Sequence, residues 1–252
     1  MVEKTRVAFD LTIGAEQVHV DMKLPAGPMP ARRLLPLLQG ITHQVIDGAV
    51  GEAKQRGEEV SCKAGCGACC RQLVAISETE ARHLHALVEA LPEPRRADVR
   101  ARFTAIRTKI EAAGLLDAVR DIDARSEAEG LAINRRYMAL AIPCPFLEDE
   151  SCSIHPQRPL VCREYLATTP AERCAELKPG QVRTVPLRAY VSKALVELDS
   201  HDGEAHRVAL VQALEWTEAH SAEAPELRPA VEWVDALLRK MTGRSPFEGD
   251  RP

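Results

Sequence analysis

The sequence predicts a mainly α-helical protein with a small N-terminal β-hairpin and irregular loops, rich in cysteine and proline, between helices. Three observations predict it. Apolar residues recur at three- and four-residue intervals through most of the chain. Strict alternation of apolar and polar residues is confined to the beginning. The eight cysteines fall in the two stretches where neither period holds.

Taken in order, "RVAFDLTI" and "QVHVDMKL" alternate on either side of Gly14, Ala15 and Glu16, as the two arms of a hairpin do. "PAGPMP" then breaks the pattern. From about Pro36 to Arg56, Leu38, Ile41, Val45 and Ala49 recur at helical spacing, with Gly57 placed to stop the helix and three internal glycines weakening it. "ISETEARHLHALVEAL" opens with a capping box, Ser77 to Glu80, and carries the stripe Ala81, Leu84, Val88, Leu91. Val99, Phe103, Ile106 and Ile110 make the next stripe, and Leu115, Val119 and Ile122 continue in another helical stretch. Residues 141–180 lose periodicity and hold the second group of cysteines among many prolines. From Thr184 helices resume: Pro186 suits a first helical position, with Leu187, Val191, Ala194 and Leu198 on one face. Val208, Val211 and Leu214 predict a further helix, and Leu227, Val231, Val234, Leu238 and Met241 a last one. The division expected is a hairpin and linker over 1–28, a helical domain over 29–243 containing the cysteine region 60–175, and a frayed tail over 244–252.

Composition excludes several classes. The chain has 252 residues, 45% of them hydrophobic, enough for a full core. Net charge is −4, with no basic stripe for nucleic acid, and aromatics at 4% leave few platforms for stacking bases. No apolar run reaches a membrane span. The start has no apolar h-region before charge returns, so the expectation is a cytoplasmic protein.

In a reducing compartment, clustered cysteines bind metal or do redox chemistry more often than they form disulfides. "SCKAGCGACCRQ" holds Cys62, Cys66, Cys69 and Cys70; the second group is Cys144, Cys152, Cys162 and Cys174. Adjacent Cys69 and Cys70 are too close along the chain to pair easily with each other. Thiolates are soft ligands that suit zinc and iron–sulfur clusters, and a cation relieves their mutual repulsion. All eight are candidate metal ligands, with Cys62 and Cys174 behind the other six. Only Cys66-x2-Cys69 has knuckle spacing, so a closed site must draw ligands from both groups. His155 is a further candidate, although Pro156 beside it implies a turn. Arg158 and Arg163 flank the second group as surface residues, or as donors to loop carbonyls that offset thiolate charge. Glu164 and Tyr165 are adjacent polar groups, and Phe146 and Leu147 are placed to pack the loop on the helices. The Cys62-x3-Cys66-x2-Cys69 spacing also occurs in radical-SAM enzymes, but those resemble β/α barrels, and no strand–helix repeat follows Cys70. No HExxH, glycine-rich phosphate loop or Ser-His-Asp order is present.

"CKAGCGACC", "PCPFL" and "CSIHPQRPLVCREY", in that order, resemble the signature of the CxxCxxCC cysteine-cluster family, the YkgJ-like proteins, described as zinc- or iron-chelating domains. The resemblance covers roughly residues 60–175. The first gap here is three residues where the family's name implies two, which sets Cys62 apart. The flagellin N-methylases are similar in carrying this domain. The resemblance implies a metal-binding protein holding zinc or iron, an iron–sulfur cluster included, in a structural or chelating role. The rival expectations are an iron–sulfur or metal-dependent enzyme of group-transfer or redox type, and a thiol redox protein that uses Cys69 and Cys70.

Overall fold

The computed structural model describes residues 4–13, 16–122, 126–176, 181–200 and 206–243. The hairpin turn at Gly14 and Ala15, His201 and the tail 244–252 lie outside the described residues. Strands β1 (Lys4–Ile13) and β2 (Glu16–Pro25) pair antiparallel, from Lys4 opposite Pro25 to Ile13 opposite Glu16, so the predicted hairpin is present. A 3-10 turn, Ala31–Leu34, leads into α1 (Leu35–Gln55), which carries Pro36 in its first turn and ends before Gly57 at φ 76°. That positive φ is what a glycine after a helix end supplies without strain.

After the first cysteine group come β3 (Ala75–Ser77), α2 (Glu78–Glu89), α3 (Arg95–Ala112), α4 (Leu116–Arg120) and α5 (Glu127–Ala139). The capping box is formed as predicted: the Ser77 hydroxyl accepts from Glu80 N, and the Glu80 carboxylate accepts from Ser77 N. Helix α5 has the same device at Ser126 and Glu129, and the sequence reading passed over it. Much of α5 is exposed, so it presents little apolar stripe to find.

The region 141–176 is short pieces rather than featureless loop: β4 (Leu147–Glu148), β5 (Ser151–Cys152), α6 (Leu160–Glu164) and α7 (Glu172–Glu176). Asp149 and Glu150, at φ 47° and 56°, make the tight turn between β4 and β5. The chain ends with α8 (Val191–Leu198), β6 (Arg207–Ala209), α9 (Ala213–Ala219) and α10 (Ala230–Thr242).

Three expectations about this last part are corrected. The helix assigned from Thr184 starts only at Val191; Pro186 lies in extended chain, where Val185 N donates to Leu166 O at 2.8 Å. The start of α8 is set by Glu164, whose carboxylate accepts from the Ser192 amide and hydroxyl. Val208 is in a strand, because β6 pairs antiparallel with β3, Ile76 opposite Val208. Leu227 stands outside the last helix at 57% exposure and Val231 is 39% exposed; the buried face is Ala230, Trp233, Val234, Leu237 and Leu238.

The buried side chains fall into three clusters. One joins the hairpin to α1, α8 and α10 through Val7, Phe9, Val20, Leu38, Ile41, Leu195 and Leu238. The second joins β3, α2, α3 and α9 through Ile76, Leu84, Val99 and Leu214, and receives Phe146 edge-on to Phe103 with ring centroids 5.6 Å apart. The third links the end of α3 to α4, Tyr137 and Ile142. No helix among the described residues is long and apolar enough to cross a membrane.

Helix α8 docks on α2 through Asp199, which accepts from Thr79 N at 2.8 Å and Thr79 Oγ1 at 2.7 Å. Burial lifts its pKa from 3.8 to about 6; the charge of Glu78 adds to this, and the bonds from Thr79 and Ser77 oppose it. A carboxyl raised on folding holds its proton more tightly in the native state. Its contribution is present below the ordinary pKa and is lost as pH rises through about 6. Asp199→Asn removes the titration and keeps an acceptor for Thr79. Between about pH 4 and pH 7 the parent should lose about 3 kcal/mol of unfolding free energy that the variant does not lose, read by urea denaturation across pH.

Candidate metal centre

The cysteines are carried by pieces too short to hold themselves. Cys62 and Cys66 lie in the loop after α1, Cys69 and Cys70 on the 3-10 turn Ala68–Arg71, and Cys144 after α5. Cys152 is in β5, Cys162 in α6 and Cys174 in α7. Backbone bonds stitch these pieces together: Ser61 N to Ala167 O at 2.9 Å, and Cys144 N to Cys70 O at 2.7 Å. The Gln72 amide reaches Cys174 O at 3.3 Å, and Arg71 pairs with Glu150 at 2.5 Å. Gly67 passes so close to the β4–β5 turn that no side chain fits there. A Cβ would lie 2.5 Å from Leu147 Cδ1 and 2.7 Å from Glu150 O.

The result is a cavity of about 680 Å³ walled by Cys66, Cys69, Cys70, Cys144, Cys152 and Cys162. Val74, Ile76, Val161 and Leu210 form apolar wall beside them. Cys62 and Cys174 are not among the residues that line the cavity: Cys62 Sγ accepts from Ala167 N at 3.2 Å, and Cys174 is buried. All eight are free of disulfides. The six predicted core cysteines therefore line one cavity, and the two ranked behind them do not.

Burial and neighbouring thiols favour the thiol form over the thiolate. The Cys69 thiol is raised by its bond with Cys70 and then by burial. Burial raises Cys162 well above the ordinary range and pushes Cys144 up to about 12, each helped by neighbouring thiols. Cys174 rises to about 11, through burial and then the charges of Cys62, Cys69 and Cys66. Backbone amides work the other way. Ala167 N, Phe146 N and Ile154 N bond the sulfurs of Cys62, Cys144 and Cys152, which favours their thiolates.

Two arginines supply positive charge. Arg163 is only 3% exposed and donates to Arg158 O at 3.1 Å and Pro156 O at 2.6 Å, besides contacting His43 Nε2 at 2.8 Å. Burial and Arg158 lower its pKa, and Cys162, Glu80 and Cys152 oppose that. Arg158 lines the cavity with its Nε buried and unbonded, and its charge favours the thiolates of Cys62, Cys69 and Cys152. Cys162, Cys152 and the Glu80 carboxyl are the groups whose negative charge Arg163 meets. Arg163 is thus the donor to loop carbonyls that one sequence reading allowed, and not a surface residue.

His155 lines the cavity, its imidazole kept neutral by burial and then by Arg158 and Arg163. His83 and His85 bond elsewhere, to Gln157 and Glu218. Glu164 turns to Ser192, whereas Tyr165 faces the cavity and bonds Cys174. Glu80, Gln72 and Gly67 are site residues that the sequence reading missed. Glu80 was already assigned to a cap, and only the tight "GCGACC" spacing hinted at Gly67.

Among the described residues no three Cys, His, Asp or Glu side chains stand as a finished ligand set for one ion. The chemistry of the donors nonetheless fits a soft metal: many thiols on one cavity, amide N–H groups aimed at three sulfurs, and two arginines beside them. Fold and site together define a helical protein with a cysteine-walled cavity. Residues 61–184 match the family model CxxCxxCC, described as a "putative zinc- or iron-chelating domain", the family whose signature the cysteine motifs resemble. No curated protein and no solved structure matches the chain.

Gly67→Ala should destabilise by about 1–3 kcal/mol, because the new methyl meets a backbone oxygen that cannot rotate away. Urea denaturation checks the loss, and metal content of the purified variant should fall with it.

Proposed function

We propose that this protein holds zinc or iron through thiolates drawn from Cys62, Cys66, Cys69, Cys70, Cys144, Cys152, Cys162 and Cys174, in a structural or chelating role. The observation that carries the reading is that six cysteines from distant segments line one cavity. The amides aimed at Cys62, Cys144 and Cys152 support it, since N–H bonds to sulfur stabilise the charged form a metal requires. A bound cation would supply neutralising charge and cross-link the pieces of 141–176, whose strands and helices are each too short to bury a face of their own.

A second reading, an iron–sulfur or other metal-dependent enzyme, is favoured by one feature. A cavity of about 680 Å³ is far larger than an ion, and it falls within the ~300–1,000 Å³ range of small-molecule sites. Its apolar wall would then receive an organic substrate beside the metal.

Protein purified without oxygen and without an affinity tag should carry about one to two equivalents of zinc or iron by elemental analysis. Zinc without visible absorbance supports the structural or chelating role. Iron with acid-labile sulfide and broad visible absorbance supports the second reading. Metal removal should lower the melting temperature and open residues 141–176 to proteolysis first; unchanged melting would rule out a structural role.

A further inference from the structure

The cysteines account for only part of the cavity wall. Much of the remainder comes from segments that carry none of them: β3, α8, and β6 with the 3-10 turn that follows it. This part is apolar at Ile76, Val196, Leu210 and Val211, and the half-exposed ring of Tyr190 joins them. The charged side chains on the wall are unbalanced. Lys63, Arg158, Lys193 and Arg207 are cationic, and Glu80 and Glu197 are the carboxylates. Glu80 is already engaged, since it accepts from Ser77 N, Ser77 Oγ and Leu160 N. Glu197 lies 4.0 Å from Lys193 one turn back on α8. The two loop arginines differ in the same respect. Arg163 does not line the cavity, and its guanidinium is taken up by Arg158 O, Pro156 O and His43 Nε2. Arg158 does line the cavity, and its Nε is buried with no hydrogen-bond partner. A buried donor left unbonded is unfavourable, and the arginine fork is matched by two parallel bonds to a carboxylate. The sequence has no glycine-rich loop of the kind that cradles phosphates.

We infer that the cavity takes a small carboxylic acid with an apolar alkyl or aryl body, its carboxylate on the Arg158 guanidinium and its body along Ile76, Val196, Leu210 and Val211. The inference rests on the second reading above, in which an organic substrate enters beside the metal, and it names the class of that substrate. An apolar wall with one placed charge is how small-molecule sites combine affinity with orientation. The excess of cations on the wall disfavours an amine of the same shape.

The test is calorimetric titration of the full chain, purified with its metal, against octanoate, 4-phenylbutyrate and indole-3-propionate, each paired with its primary amide. At least one acid should bind about tenfold or more tightly than its own amide. Arg158→Gln should bring that acid down to the affinity of the amide and leave the amide unchanged, with elemental analysis showing that the variant keeps its metal. Lys193→Gln should change acid binding by less than about threefold, because that ammonium is 77% exposed. If Arg158→Gln does not fold or loses its metal, the difference between acid and amide on the unmutated protein still decides the ligand class. Amides that bind as tightly as the acids overturn the inference and leave the second reading standing. Acid binding that survives Arg158→Gln and disappears when metal is removed puts the carboxylate on the metal and overturns the role of Arg158. If none of the six compounds binds, the inference falls together with the second reading, and metal binding, measured separately, stands.

Discussion

Ionised thiols packed side by side repel, and buried ones cannot be solvated; the rest of this structure is arranged around that constraint. The wall cysteines could not converge on the strength of their own segments. Strands β4 and β5 have two residues each, and α6 and α7 five each. The convergence is imposed from outside by the second cluster of buried side chains. Phe146 is driven into it beside Phe103, and Ile76 and Leu210 close the cavity from the other side. Loss of the buried Phe146 ring would cost about 3–5 kcal/mol, far more than any single polar contact in the loop.

Ion pairs then set position more than stability. Glu148 is held by Arg95 and Arg102 of α3, each at 2.5 Å, and Arg71 holds Glu150. Partly exposed pairs like these contribute at most about 1 kcal/mol apiece. Their effect is to fix the β4–β5 hairpin against α3 and the cysteine turn against the hairpin. Arg158 and Arg163 differ in kind, because thiols act on both and Arg163 donates to loop carbonyls. Their positive charge gives the thiolates a counter-charge that burial alone would deny them.

Much of this was legible before any coordinates. The stripe Val99, Phe103, Ile106, Ile110 is buried along α3, and the Ser77–Glu80 cap forms as written, since both signals are complete within a few residues. Val208 misled because three apolar residues at helical spacing also fit a strand followed by a turn. Only its partner Ile76, far off in sequence, decides between them. Pro186 misled for a similar reason: the start of α8 is set by Glu164, which no local window contains. Helix α5 was passed over because an exposed helix carries little apolar periodicity.

The sequence by itself determined the helical class, the N-terminal hairpin and the chemistry of the donors, because periodicity, caps and soft sulfur are properties of neighbouring residues. The tertiary structure decided which thiols line the cavity, that Cys62 and Cys174 do not, that Arg163 is buried, and that Gly67 must remain without a side chain. Each of those depends on a contact between segments far apart in the chain, and the free energy that selects such a contact comes from burying surfaces that local sequence does not pair.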